Sequence, residues 1–208
     1  MDEISVKKAL SQKLNFSSNS IKILDIYVEN LLKYNKKLNL IGKSTENKIW
    51  SRHILDSAQI VPFIEFKRNA SLADLGSGAG LPGIILAIFN KNPSFHVKLY
   101  EKSPLKANFL TKMGEILNIN IEVINEDINH CLINSDYIVS RAFKKLPKIL
   151  EISRENSKRT HKLIILKGKS AQAEINNASK GSMFKYKLES SITDKESKII
   201  ILDANKSE

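Results

Sequence analysis

Asp74 is followed at two-residue steps by Gly76, Gly78 and Gly80, and Leu81-Pro82-Gly83 then leads into the apolar run Ile84 to Phe89. With the apolar Leu72 to Leu75 around the Asp, this reads as a buried strand, a glycine-rich turn and a helix start. Glycine lets backbone approach a ligand closely, and the first turn of a helix offers unpaired N–H groups. The expected consequence is a flat, polar ligand lying across the turn. Two cofactors fit the letters. Gly78-Ala79-Gly80-Leu81-Pro82-Gly83 satisfies the dinucleotide pattern G-x-G-x-x-G. Glu101, at the end of the next apolar strand, is placed to take ribose hydroxyls, which predicts a NAD(P)-binding oxidoreductase. The same letters read as Asp-x-Gly-x-Gly-x-Gly, the pattern of S-adenosylmethionine (SAM) enzymes of the Rossmann-like class, in which a carboxylate after the second strand also holds the ribose. The glycines alone leave both readings open.

Other residues invite chemistry with less force. His53 and Asp56 are three apart on an expected helix and share a face, as a catalytic pair or as a structural one. Arg141 falls just after an expected fourth strand, at the sheet edge where ligands bind in open α/β folds. Lys167-Gly168 ends a fifth strand near the same edge, and Lys167 is a candidate phosphate contact. The tract Lys167 to Lys187, with Lys169, Lys180, Lys185 and Lys187, reads as a mobile basic flap. Cys131 is the single cysteine, which excludes an intramolecular disulfide and a cysteine-based metal cluster; no metal is expected.

The elements that must position these residues follow from apolar spacing. Glu3 to Leu14 reads as a short helix, and Leu24, Tyr27 or Val28, Leu31, Leu32 and Leu38 recur at helical spacing behind Ser18, Asn19 and Ser20 as N-caps. A third helix is expected from about Thr45 to Phe66, ended or kinked near Pro62. After the glycine turn, strands at Val97 to Tyr100, Ile121 to Ile124, Tyr137 to Ser140 and Leu163 to Leu166 alternate with helices at Pro104 to Leu117 and about Lys148 to Glu155. That alternation predicts a parallel sheet covered on both faces. Past Gly181, Phe184 to Leu188 and Lys198 to Leu202 are strand-like with no helix between, so an antiparallel hairpin at the sheet edge is expected. Such an ending suits the SAM class better than a dinucleotide dehydrogenase.

The chain has 208 residues, and its 33 Lys and Arg against 22 Asp and Glu leave a net charge of +11. That excess points to an acidic polymer as partner, with nucleic acid the natural one. No stretch of about 20 apolar residues is present, and the N-terminus lacks an apolar signal region, so no membrane association and a cytoplasmic location are expected.

Along almost its whole length the chain resembles the bacterial RsmG (glucose-inhibited division B) family. The resemblance rests on Tyr34-Asn35-Lys36-Lys37-Leu38-Asn39-Leu40, Arg52-His53-Ile54-Leu55-Asp56-Ser57 and Gly76-Ser77-Gly78-Ala79-Gly80-Leu81-Pro82-Gly83. It continues through Glu101 with Lys106, Asn125-Glu126-Asp127, Ser140-Arg141-Ala142-Phe143 and Leu166-Lys167-Gly168. The family shows Lys-Arg where this chain has Lys106-Ala107. The resemblance implies an α/β, Rossmann-like class I SAM-dependent methyltransferase. Its sheet would be mostly parallel and seven-stranded with a C-terminal antiparallel hairpin, and a helical N-terminal region (1–69) would pack on a SAM-binding core (70–208). It implies methylation of N7 of a guanine in 16S ribosomal RNA, with free RNA or the small ribosomal subunit as partner and a monomer as the expected state. A non-catalytic RNA-binding protein of the same fold is the reading from another class. The implied cofactor-binding residues are Gly76, Gly78, Gly80, Leu81, Glu101, Glu126, Asp127 and Arg141, with Glu126 and Asp127 on the adenine edge. Arg141 is implied to position the reactants. Phe143 is a candidate to stack on an extruded guanine, since bases in RNA loops are commonly held by aromatic planes. Guanine N7 carries no proton, so no general base is expected. In keeping with that, the sequence lacks the Asp/Asn-Pro-Pro-aromatic tetrapeptide of adenine N6 enzymes and the Pro-Cys of cytosine C5 enzymes.

Overall fold

A computed structural model describes residues 1–179 and 185–204. Lys180 and Phe184, which the sequence places in the basic tract and at a strand start, lie outside the described residues. Helices α1 (Glu3–Leu14) and α2 (Ser18–Leu38) begin on Asp2 and Ser17, whose side chains accept from the N–H of Ser5 and Ser20. Both end on a left-handed asparagine, Asn15 and Asn39. Buried Leu24, Tyr27, Val28, Leu31 and Asn35 make one face of α2.

The helix expected over Thr45 to Phe66 is instead broken into four pieces. A 3-10 turn (Lys43–Lys48), a π-helical turn (Trp50–Leu55), the short α3 (Asp56–Ala58) and a second 3-10 turn (Val61–Phe63) follow one another. Pro62 has no N–H to extend a helix. Within the π turn, the carbonyl of Arg52 accepts from the Arg141 guanidinium at 2.7 Å, so a long-range contact shapes this segment more than helix propensity does.

Seven strands follow: β1 (Ser71–Leu75), β2 (His96–Tyr100), β3 (Ile121–Ile124), β4 (Tyr137–Arg141), β5 (His161–Lys167), β6 (Lys187–Ser190) and β7 (Lys198–Ala204). Their order is β3-β2-β1-β4-β5-β7-β6, with β1 to β5 parallel and both β7 contacts antiparallel. The hairpin expected from the sequence therefore inserts β7 against β5 and leaves β6 at the edge. Helices α4 (Gly83–Phe89), α5 (Pro104–Leu117), α6 (Leu146–Asn156) and α7 (Ala171–Ala178) complete the layers. Alternate strand residues divide the core. Leu72, Leu99, Val139 and Ile164 pack with α1, α2, α4 and α5, whereas Ala73, Ile138, Leu163 and Ile200 pack with α6 and α7.

Helix α7 occupies the tract read as a mobile flap. Ala171, Ile175 and Ala178 are buried at steps of four and three, a one-face helical pattern hidden among Gln172, Asn176 and Asn177. The strand order reverses between β2-β1 and β4-β5, and a switch point of this kind leaves a crevice outside the carboxyl ends of β1 and β4.

Candidate functional site

A cavity of about 400 Å³ opens at that crevice. Its floor is the glycine turn after β1. Gly76 and Ser77 donate from their N–H groups to the carbonyl of Tyr100 at 2.9 and 3.0 Å, so the turn hangs from the end of β2. Gly76, Gly78 and Gly80 all have positive φ. At Gly76 a Cβ would stand 2.2 Å from the Phe143 ring, so only glycine lets that aromatic cover the turn. Gly80 departs from expectation. It does not line the cavity; its missing Cβ would strike Ile84 at 2.4 Å, so this glycine allows the turn to settle against α4.

Three side chains fix the turn from outside. Glu101, 8% exposed, accepts from Gly78 N–H at 2.9 Å through Oε2 and from Ser103 N–H at 2.8 Å through Oε1. Each oxygen keeps a further lone pair toward the cavity. Asp74 is fully buried and accepts from Gly83 N–H at 3.0 Å, bracing the turn as an internal strut. Burial pushes its carboxyl up to about 7, against the pull of the Gly83 N–H. Tyr27 of α2, which the sequence marks only as core, donates its buried hydroxyl to the carbonyl of Ala79 at 2.7 Å. Its phenol is tied to the turn, and nothing in helical spacing announces that.

Glu126 and Asp127 line the cavity after β3, whereas Asn125 spends its amide on the carbonyl of Glu101 at 2.8 Å. Asp127 caps a following 3-10 turn, and the N–H of Asn129 is the first cause holding its carboxyl below the usual range. Cys131 is buried behind this loop, its thiol pushed up to about 11 by burial and then by Glu126, which makes it a poor nucleophile. Among the described residues no group of three or more His, Cys, Asp or Glu is placed to hold a metal ion, and no helix is long and apolar enough to cross a membrane.

Arg141 is the last residue of β4 rather than the first after it, and Ala142 turns the chain away with a φ of 50°. Its guanidinium reaches into the N-terminal segment. Nε donates to Asp56 Oδ2 at 2.8 Å, and Nη2 donates to the Arg52 carbonyl at 2.7 Å and to His53 Nδ1 at 3.1 Å. His53 and Asp56 thus meet through Arg141. Arg can only donate, so Nδ1 accepts and the His53 proton sits on Nε2, facing Thr45 Oγ1 at 2.7 Å. Thr45 passes the chain on by donating to the carbonyl of Gly42 at 2.7 Å. Leu40, Ile41, Gly42 and His53 form the cavity's N-terminal wall. Asn35 shapes that wall by accepting from Ile41 N–H at 2.8 Å, which gives a physical role to the Asn of the Tyr34 to Leu40 motif.

Burial first, then the charges of Arg141 and Arg52, lowers the His53 imidazolium to about 4. His53 is neutral at pH 7, and its lone pair is committed. The stability consequence has a definite sign. The unfolded chain binds this proton near pH 6.5 and the folded chain only near 4, so the contribution is complete above about 6.5 and is lost as pH falls toward 4. Denaturant titrations should show the native protein losing about 3 kcal/mol more than His53→Gln between pH 7 and pH 4, by the linkage of about 1.4 kcal/mol per unit. Parallel stability curves would contradict the assignment.

Two sequence expectations change character here. Lys167 is no free phosphate contact, since its ammonium, 10% exposed, pairs with Glu174 Oε2 at 2.8 Å and also donates to the carbonyl of Lys144. Phe143 covers Gly76 with its ring half-buried, and Lys144 lies 5.3 Å above that ring. At the cavity's rim stand Lys102, Lys106 and Lys144, none of them in an ion pair among the described residues.

The family model described as rRNA small subunit methyltransferase G (GidB) matches residues 20–202. A ribosomal RNA small subunit methyltransferase G of Pelagibacter ubique (strain HTCC1062) is 36% identical over 202 residues, 95% of this chain and 94% of the relative. One of the same name from Rickettsia bellii (strain OSU 85-389) is 39% identical over 180 residues, 86% of this chain and 91% of the relative. Among solved structures, a SAM-dependent methyltransferase from Aquifex aeolicus is similar with a TM-score of 0.60 at 14% identity, covering 77% of this chain and 94% of that one. PigF with SAH gives a TM-score of 0.59 at 13% identity, covering 88% and 62%. At these identities the two structures speak to the fold alone, and that fold is the Rossmann-like class I methyltransferase fold.

Proposed function

The chain belongs to the rRNA small subunit methyltransferase G family, and from that premise we propose that it methylates N7 of a guanine in 16S ribosomal RNA, free or within the small ribosomal subunit. It is a SAM-dependent methyltransferase acting on ribosomal RNA. The residues present suit SAM: the turn approaches through glycines that no Cβ obstructs, Glu101 keeps acceptor capacity for ribose hydroxyls, and Glu126 and Asp127 offer acceptors for the amino group of adenine. Gly76, Gly78 and Leu81 would line the methionine side. When bound, SAM supplies an electrophilic methyl group on a sulfonium.

The observation that carries the choice of N7 is the state of His53, the imidazole on the cavity wall. Its lone pair is taken by Arg141 and its ordinary basicity is suppressed, so it cannot serve as a proton acceptor near neutral pH. Guanine N7 needs none, being an exposed lone pair that is an acceptor in the major groove. With SAM bound, that lone pair would take the methyl carbon as the carbon–sulfur electron pair returned to sulfur, so the positive charge would pass to the purine and no proton would have to move. The protein's work is then alignment, exclusion of water and support of the turn. Single-turnover transfer at saturating RNA and SAM should show no titration near neutrality that His53→Gln removes. An inflection near pH 7 that His53→Gln abolishes would contradict this reading.

The basic rim gives the approach of RNA its charge. Replacing Lys102, Lys106 and Lys144 together by Gln should reduce the salt dependence of RNA binding by about one unit of slope per lost phosphate contact. An unchanged slope would place the RNA face elsewhere. In this reading residues 1–69 form the region that walls the cavity, 70–208 form the SAM-binding core, and the protein works as a cytoplasmic monomer.

A further inference from the structure

A second cavity, of about 340 Å³, adjoins the first and shares with it only Arg141 and Ala142. It is built from the carboxyl end of β5, the start of α7, the β6–β7 connection and the N-terminal segment. Resting on the rRNA methyltransferase reading above, we propose that this second cavity receives the extruded acceptor guanine, with Arg141-Ala142 as the threshold between base and cofactor.

Three observations carry it. The first is position: Arg141 and Ala142 at the end of β4 border both cavities, so a base seated in one lies at the edge of the cofactor cavity. The second is size, at the small end of ligand pockets and suited to one purine nucleoside taken out of its stack. The third is chemistry. Arg52, Arg141, Lys167 and Lys198 stand on its wall with Asp56, Glu174 and the amide of Gln59, and the two carboxylates pair with Arg141 and Lys167. Asp56 Oδ2 accepts from Arg141 Nε and Glu174 Oε1 from Ser170 Oγ, so each oxygen keeps a lone pair for a further donor. A guanine presents both donors and acceptors, and with its N7 edge turned to the cofactor its N1–H and N2–H groups are left to face carboxylates.

Gly168 supplies a clean probe, because a Cβ there meets nothing within 4 Å although the residue lines this cavity. Ser197, on the β6–β7 side, is a second. Gly168→Phe and Ser197→Phe should each fill the space without touching the SAM cavity. With small subunits lacking the modification as substrate, single-turnover transfer at saturating SAM and subunit should fall about 100-fold, the effect of misplacing a reacting atom by about 1 Å. SAM affinity and thermal midpoint should hold, and affinity for the subunit should stay within about threefold, because phosphate contacts dominate it. Unchanged transfer in both variants would overturn the proposal. So would weakened subunit binding with an intact saturated rate, which would make the cavity a phosphate site. Wild-type protein that binds SAM but transfers no methyl to any form of 16S RNA would instead overturn the rRNA reading, and the cavity assignment with it.

Discussion

Arg141→Ala should cost about 3 kcal/mol of folding stability and lower methyl transfer about 100-fold at saturating substrates. The stability loss follows from what the substitution strands. Asp56 and Arg141 are each only 17% exposed at the side chain, and removing the guanidinium leaves Asp56 Oδ2, the Arg52 carbonyl and His53 Nδ1 without their common donor. Losing one partner of a mostly buried pair is far more costly than the pair was worth. The rate loss follows from geometry, since the same guanidinium ties the segment containing His53 and, through Thr45, the Gly42 wall to the end of β4. Arg141 is therefore expected to act as a positioning residue. Denaturation and single-turnover rates measured together separate this from direct cofactor contact. In a double-mutant cycle with Asp56→Ala the two changes should be strongly non-additive. A variant of native stability whose SAM affinity alone has fallen would contradict the tether and restore the reading of Arg141 as a cofactor ligand.

Glu101→Ala should weaken SAM binding by about 2–3 kcal/mol, or roughly 30- to 150-fold in Kd. Two losses combine. The ribose hydroxyls lose a charged acceptor, and the Gly78 and Ser103 N–H groups lose the carboxylate that holds the turn open to the ligand. Glu101→Gln should be nearly as severe, because one of its two terminal atoms becomes a donor facing an N–H. Calorimetry reads this directly. Unchanged SAM affinity, or tight NAD binding by the native protein, would count against the cofactor assignment.

The parallel core was legible because buried strands read as short apolar runs and the glycine turn carries its own backbone requirement. Pro104 to Leu117 and Ile121 to Ile124 lie where the spacing puts them. The Lys43–Phe63 segment was not, since its π turn and the start of α3 bond to Arg141, which is 85 residues from Asp56 in sequence and adjacent in space. Helix α7 was obscured by a polar tract whose three buried positions are small or single. In the site, most residues with a motif were readable as neighbours around one cavity. The division of labour among them was not: Gly80 serves packing, Glu101 braces the turn it faces, and Lys167 is consumed by Glu174. Tyr27 carries no signal at all, because a buried Tyr at helical spacing looks the same whether or not its hydroxyl holds a functional turn.

The most direct test is to incubate the protein with methyl-labelled SAM and small ribosomal subunits that lack the modification, then digest the 16S RNA and identify the labelled nucleoside. The account predicts label in 7-methylguanosine at a single position, formed by the native protein and about 100-fold more slowly by Arg141→Ala. Label on another atom or another base would contradict it, as would no label from a protein shown to bind SAM.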